Sequence, residues 1–318
     1  MIKERIVNRS DKRSRIPKTS WKNDFGMNWS LYLLLIPIAA YFIVFNYLPM
    51  FGIVMAFQDF RPVTGFFGST WVGFQHFIDF FTGPSFFQIL RNTLVISLLS
   101  ISVGMTCAVL FSLLLNEIKA RNLRRTFQTL SYMPHFVSAV VVAGLLIEFT
   151  SSYGIITNIM VSIFGIDRQS MLTNPDYFWG INLGTDLWQG IGQGSIIFIA
   201  ALSSVNQEHH EAAAIDGANR LRRVWHINLP AIRPTIAVML TLRLAMIMNV
   251  GADRILLIYN PAIYETADVI STHVARMGVF NMQFGYAAAV GLFNSLIGVT
   301  LLILSNKASK KLAETSIF

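Results

Sequence analysis

The sequence predicts an all-α, polytopic membrane protein with six transmembrane helices and both termini cytoplasmic. Three observations carry this. Of 318 residues, 53% are hydrophobic and only 13% are charged, with a mean hydropathy of +0.53; a soluble domain carries roughly a quarter charged residues. Six segments approach the ~20 apolar residues that a membrane-spanning helix needs. Lys and Arg alternate between successive loops as membrane insertion demands.

Taken in order, residues 1–28 are polar and basic with no apolar stripe, and are expected to be a disordered cytoplasmic arm that can rest on anionic lipid. The apolar run from Leu31 to Phe57 far exceeds the ~7–15-residue core of a signal peptide, so it is read as a retained first span, about 31–55. With the segment up to 86 it forms a first region. Residues 56–92 are rich in aromatics, among them Phe60, Phe66, Phe67, Trp71, Phe74, Phe77, Phe80 and Phe81, and are expected along the outer membrane–water interface. The remaining spans are expected near 93–115, 134–150 (opening at Pro134), 179–203, 234–251 and 284–305. Between them, GIITNIMVSIFG within 151–178 reads as a short interfacial helix, and Asn260-Pro261 as a turn. The C-terminal residues 307–318 return to polar sequence.

Charge tests this topology. The cytoplasmic side would hold Lys3, Arg5, Arg9, Lys12, Arg13, Arg15, Lys18 and Lys22, then Lys119, Arg121, Arg124 and Arg125, then Arg220, Arg222, Arg223 and Arg233, then Lys307, Lys310 and Lys311. The outer side would hold only Arg61, Arg91, Arg168, Arg254 and Arg276, with Arg243 inside a helix. A wrong helix count would scramble this asymmetry. The same distribution reads the net charge of +8 as membrane orientation rather than nucleic-acid binding. The single cysteine, Cys107, permits no internal disulfide and no Cys-based metal site. No G-x-x-x-x-G-K-[ST], H-E-x-x-H or G-x-S-x-G occurs, so no nucleotide loop or hydrolase site of those kinds is expected. His209 and His210 are adjacent, about 100° apart on a helix, and cannot readily share a metal ion.

The stretch VNQEHHEAAAIDGANRLRRVWHINLPAIRPT, residues 205–235, breaks the apolar pattern. Its alanine-rich start favours a helix, and Gly217 suits the left-handed residue that ends one. RLRRVWHINL is expected as a second short basic helix, with Pro230 and Pro234 restarting the chain into the fifth span. Helix–turn–helix on the cytoplasmic face is the result, and its small alanines let it seat closely in a partner's groove.

The spacing E-A-A-x3-G-x9-I-x-L-P, filled by Glu211, Ala212, Ala213, Gly217, Ile227, Leu229 and Pro230, resembles the signature of type I ABC importer permeases. Asn92-Thr93-Leu94 is similar to the start of that family's core, which would span 87–306, with 205–234 as its coupling region. The N-terminal stretch from Tyr32 to Phe77 looks like a carbohydrate subgroup serving pectin- or alginate-type oligosaccharides. Many sugar permeases carry Gly-Gly-Pro between the last two spans, where this chain has Asn260-Pro261-Ala262. The resemblance implies a permease of the bacterial cytoplasmic membrane that is not itself an enzyme and holds no cofactor. Two ATPase subunits would bind ATP and Mg and receive Glu211 to Gly217, including Asp216. A second, homologous permease, an external solute-binding protein and an oligosaccharide substrate would complete the assembly, with membrane lipid around it.

Polar groups inside a membrane are costly and face a cavity or a partner. Asp186, Trp188, Gln189 and Gln193 on the fourth span, Arg243 and Asn249 on the fifth, and Asn294 on the sixth are therefore candidates for the substrate pathway. Arg243, some nine residues into its helix, would sit ~13 Å deep, and an acidic sugar would favour it. The same groups can instead pair across the bundle, Arg243 with Asp186 or Glu148. Two other readings are a different cargo, such as a peptide or polyamine, and a membrane scaffold that transports nothing.

Overall fold

The computed structural model describes residues 21–249 and 251–313; the basic arm over 1–20 and the end of the C-terminal tail lie outside them. Two units divide the chain, Met1–Gly52 and Ile53–Phe318. In the first, α1 (Trp21–Phe42) runs through Pro37, opens into a π-helical turn over Ile43–Tyr47 and resumes at Leu48. Proline gives no N–H to residue i−4, and its ring presses on that carbonyl. Widening the helix just ahead of Leu48-Pro49 relieves both faults.

The second unit opens with a two-stranded antiparallel ribbon, β1 (Gln58–Asp59) on β2 (Thr70–Trp71), with Gln58 opposite Trp71. α2 (Gln75–Thr82) follows. The aromatic residues here pack first on one another: Phe57 lies 5.4 Å from Phe74 and 5.7 Å from Phe77 between ring centroids. Phe80 is only 2% exposed and meets Phe86 and Phe293, so it belongs to the core and not to the membrane interface. Trp71, Phe67 and Phe74 stay exposed.

α3 (Phe86–Glu117) has 32 residues, about 48 Å at 1.5 Å per residue. Its Thr93, Ser97 and Ser112 return their hydroxyls to carbonyls one turn back, which satisfies polar groups where no water reaches. α4 (Arg121–Tyr132) and α5 (Ala139–Phe149) meet through Met133–Phe136 at 94°. The span expected over 134–150 is α-helical only over Ala139–Phe149, behind a 3-10 turn at Met133–Phe136 that holds Pro134. Val137 and Ser138 are extended, and Ser138 caps α5 by accepting from Val141 N–H. α6 (Ile155–Phe164) is the expected short helix, closed by Gly165 at φ +64°.

α7 (Pro175–Ser203) starts from an Asn174 cap and pairs with α3 over the most extensive helix contact in the unit. Gly192 lets α7 press on the end of α4: a Cβ there would lie 2.1 Å from the Ser131 carbonyl oxygen. α8 (Gln207–Ile215) follows. A helical run then continues unbroken from Arg220–Arg223 through a π turn, Val224–Asn228, into α9 (Leu229–Ala245). Pro230 and Pro234 therefore do not restart the chain. As before Pro49, the π turn precedes a Leu-Pro pair and absorbs the missing N–H. α9 stops at Ala245, short of the expected 251, with Met246 N–H turning back to the Arg243 and Leu244 carbonyls. α10 (Ala252–Ile258), a 3-10 turn at Pro261–Ile263 capped by Asn260, and α11 (Ile270–Ala275) lead to α12 (Phe284–Ala313).

Among the described residues, three helical stretches are long and apolar enough to cross a membrane, and four if the bent α4–α5 pair counts as one. α7 falls outside this group because Asp186, Gln189 and Gln193 interrupt its apolar sequence, and α9 because it has 17 residues. One apolar cluster joins α3, α7 and α9 through Met105, Leu113, Phe198, Leu202 and Ile232. A second joins Ile96, Val142, Phe178, Ile255 and Val269.

The Asn92-Thr93 pair has a structural task. Asn92 is fully buried and donates to the carbonyls of Glu265 and Asp268, while Thr93 Oγ1 accepts the Ile270 N–H. Gln88 donates to the Tyr264 carbonyl and Arg91 to that of Glu265. The N-terminal end of α3 thereby holds the 264–270 segment and sets where α10 and α11 lie.

Candidate coupling element and transport cavity

α8 is closed at both ends by its own sequence. Asn206 accepts the Glu208 N–H at 3.0 Å. At the other end Gly217 adopts φ +77°, its N–H meets the Ala214 carbonyl at 3.1 Å, and the Ala218 N–H meets that of Ala213 at 2.8 Å. These two bonds form a complete Schellman ending. No residue of α8 is buried. Glu211, Ala212, Asp216 and Gly217 are exposed and Ala213 is half-buried. Ile215, next to the Gly217 turn, is 87% exposed, while Leu221 and Trp225 line an apolar cavity with Leu113 and Leu229.

The second half of the signature turns inward. Ile227, Leu229 and Pro230 are half-buried, and Leu229 packs on the cluster of Met105 and Phe198. Asn219 caps the run that begins at Arg220. From Arg220 to Ala245 the backbone stays helical, and Arg243 sits near its far end. Arg243 lies roughly 35 Å along this run from Arg220 at 1.5 Å per residue.

Arg243 lines a cavity of about 640 Å³ together with Ser100 of α3, His135, Met239, and Asp186, Gln189 and Gln193 of α7. That volume lies within the ~300–1,000 Å³ of small-molecule sites. Four of the seven sequence candidates thus converge: Asp186, Gln189, Gln193 and Arg243. Trp188 does not join them. It is 47% exposed and lines a separate, apolar cavity of about 570 Å³ with Phe149, Gly180 and Gly184. Asn249, beyond the end of α9, accepts a hydrogen bond from Asn294 of α12 at 3.0 Å, and this pair lies outside the Arg243 cavity.

Residues 99–313 match the model of the binding-protein-dependent transport system inner membrane components. The chain belongs to this family. Protein LplB of Bacillus subtilis is 41% identical over 300 residues, covering 94% of each chain. The polygalacturonan/rhamnogalacturonan transport system permease protein YteP of the same organism is 39% identical over 288 residues, 91% of this chain and 90% of the relative. A chain of the bacterial alginate ABC transporter, solved with an alginate pentasaccharide-bound periplasmic protein, superposes with a TM-score of 0.85 at 37% identity, covering 93% of this chain and 99% of that one. This inner membrane component therefore has the type I ABC permease fold and is a multi-pass membrane protein.

The permease resolves the alternative pairings of its polar groups. Asp186 pairs with Arg254 of α10, Nη2 to Oδ1 at 2.6 Å, and among the described residues Arg243 pairs with neither Asp186 nor Glu148. Arg254 is 8% exposed and also donates to Asn182 Oδ1 at 2.7 Å and Gln189 Oε1 at 3.3 Å. Among the described residues Arg243 enters no ion pair. The sequence reading placed Arg254 among outer-loop cations; an arginine inside the otherwise apolar turn RILLI was the available signal. Ser100, His135 and Ile215 were missed for a different reason, since nothing in their local pattern separates them from neighbours.

Between α10 and α12 a second polar group fixes the permease's loop. Asp268 accepts from Arg276 at 2.5 Å, Tyr259 at 2.6 Å and Thr272 at 2.9 Å. Burial pushes the Asp268 carboxyl up, but hydrogen bonds from His273 and Tyr259 and the Arg276 charge outweigh it and hold the group below its usual value. Burial and the Asp268 carboxylate raise the Tyr259 hydroxyl well above the ordinary tyrosine range.

Proposed function

We propose that this permease is the membrane pathway of an ATP-driven importer of acidic oligosaccharides. The carrying observation is that a single continuous helix, Arg220 to Ala245, runs from just after the exposed Gly217 turn to Arg243, which among the described residues has no ion-pair partner and lines a polar cavity. Arg243 offers a carboxylate a planar pair of donors, and Gln189, Gln193 and Ser100 offer hydroxyls their complements. YteP is named for polygalacturonan and the superposed importer for alginate, both acidic polymers, which supports the same cargo here.

In this reading an external binding protein delivers the sugar, and a second, homologous permease completes a path of six spans from each chain. Two ATPase subunits bind ATP and Mg, so hydrolysis occurs outside this chain and no residue here is catalytic. Glu211 to Gly217 seat in those subunits, with Ile227, Leu229 and Pro230 fastening the seat to the membrane helices. Nucleotide binding draws the ATPases together, moves α8, and shifts the population from an inward-facing to an outward-facing cavity. The test is the complex purified with its partner subunits and placed in proteoliposomes. Binding protein loaded with tri-galacturonate or an alginate trimer is expected to stimulate ATP hydrolysis and uptake. Stimulation by peptides but by no sugar would overturn the cargo, and assembly without ATPase subunits would overturn the machine.

A further inference from the structure

We propose that Arg254 is a specificity-determining residue: by neutralising Asp186 it sets the sign of charge in the cavity and makes the pathway select carboxylated over neutral sugars. The inference rests on the cavity reading above and goes beyond it, because Arg254 is absent from the cavity lining.

The cavity wall carries two charged groups, Asp186 and Arg243. Left alone they would cancel, and a cavity of zero net charge gives an anionic sugar no preference over a neutral one. Arg254 changes the balance from behind. Its guanidinium is buried and placed on three acceptors of α7, Asn182, Asp186 and Gln189, one on each successive turn. The shortest of the three contacts is the one to the carboxylate, at 2.6 Å. With Asp186 compensated by a cation that substrate cannot reach, Arg243 is left as the uncompensated charge of the wall. A buried arginine that only fastened two helices would be matched to acceptors facing away from the cavity. Here two of its three acceptors, Asp186 and Gln189, are themselves lining residues.

The test compares uptake of tri-galacturonate with that of its fully methyl-esterified, uncharged counterpart, by the complete complex in proteoliposomes. Arg254→Gln exposes an uncompensated Asp186. The acid-to-ester ratio is expected to fall about tenfold, the effect of one unit charge roughly 10 Å away at an effective dielectric near 20. The double variant Asp186→Asn/Arg254→Gln removes both charges and is expected to restore the ratio, although it restores no ion pair. Asp186→Asn alone is expected to raise the ratio, which keeps the idea testable if Arg254→Gln fails to assemble. A purely structural role predicts the opposite: both substrates fall together and the double variant stays impaired. An unchanged ratio in all three variants overturns the charge filter while leaving the importer reading intact. Wild-type complex that moves neither substrate overturns that reading instead.

Discussion

Replacing Gly192 by alanine tests the packing that holds the cavity together. The added Cβ would sit 2.1 Å from the Ser131 carbonyl oxygen, 2.4 Å from its carbon and 2.9 Å from a Tyr132 ring carbon. Ordinary contact begins near ~3.4 Å, so α4 and α7 must separate by about 1 Å. Two of the three obstacles are backbone atoms of a helix and cannot rotate aside. Overpacking of this kind costs about 1–3 kcal/mol, and the immovable backbone places Gly192→Ala at the upper end. At about 2–4 °C per kcal/mol for a chain of this size, the midpoint should fall by roughly 6–12 °C. Gly184→Ala is the matched control on the same helix, because its Cβ meets nothing within 4 Å. Alanine's better helix propensity, about 1 kcal/mol over glycine, should leave that variant unchanged or slightly more stable. Thermal unfolding of the purified complex in detergent, followed by tryptophan fluorescence, reads both. Equal midpoints for the two variants would refute the close approach of α4 to α7.

Three further outcomes follow from other sites. Asn92→Ala removes the side-chain donor from the buried Asp268 carbonyl, while the Glu265 carbonyl keeps Arg91, and should destabilise by about 1–3 kcal/mol, with hydrogen exchange rising first over 264–270. Asp268 has a lowered folded pKa, so its stabilisation is present above the unfolded value near ~3.9 and is lost as pH falls through the folded value; the melting difference between wild type and Asp268→Asn should be widest above roughly pH 5 and narrow below about 4. Gly217→Ala keeps open space around its Cβ but must hold φ +77°, a strain of about 1–2 kcal/mol; Gly217→Asn should be milder, and uptake should follow that order while the rest of the fold melts unchanged.

Hydropathy located the long apolar helices and the polar stretch that interrupts them at 205–235, because those features are local and repeated along the chain. The Schellman ending at Gly217 was readable for the same reason: one residue type meets one backbone requirement. The bend between α4 and α5 was not, since composition does not record direction, and Val137-Ser138 look as apolar or small as their neighbours. The end of α9 was hidden because Ile247 and Met248 stay apolar after the helix stops; they are buried in a tertiary cluster instead. Trp188 was grouped with Asp186, Gln189 and Gln193 because they share one helix, yet neighbouring helical positions face different sides. The Asp186–Arg254 pair joins residues 68 apart in sequence, and no pattern along the chain connects them. Proline was read as a breaker at Pro230, whereas the π turn ahead of it lets the helix continue.

In the proposed function the exposed α8 turn drives the membrane helices through a partner that hydrolyses ATP. Ile215→Asp tests it most directly, because Ile215 is 87% exposed and its replacement disturbs no internal packing. Copurification of the ATPase subunits and uptake by proteoliposomes are measured together. The expected result is a correctly folded permease that loses both, by at least about tenfold, the loss that removal of one buried apolar anchor of ~1.5–3 kcal/mol produces. A variant that retains its ATPase subunits and imports at the wild-type rate would contradict the account.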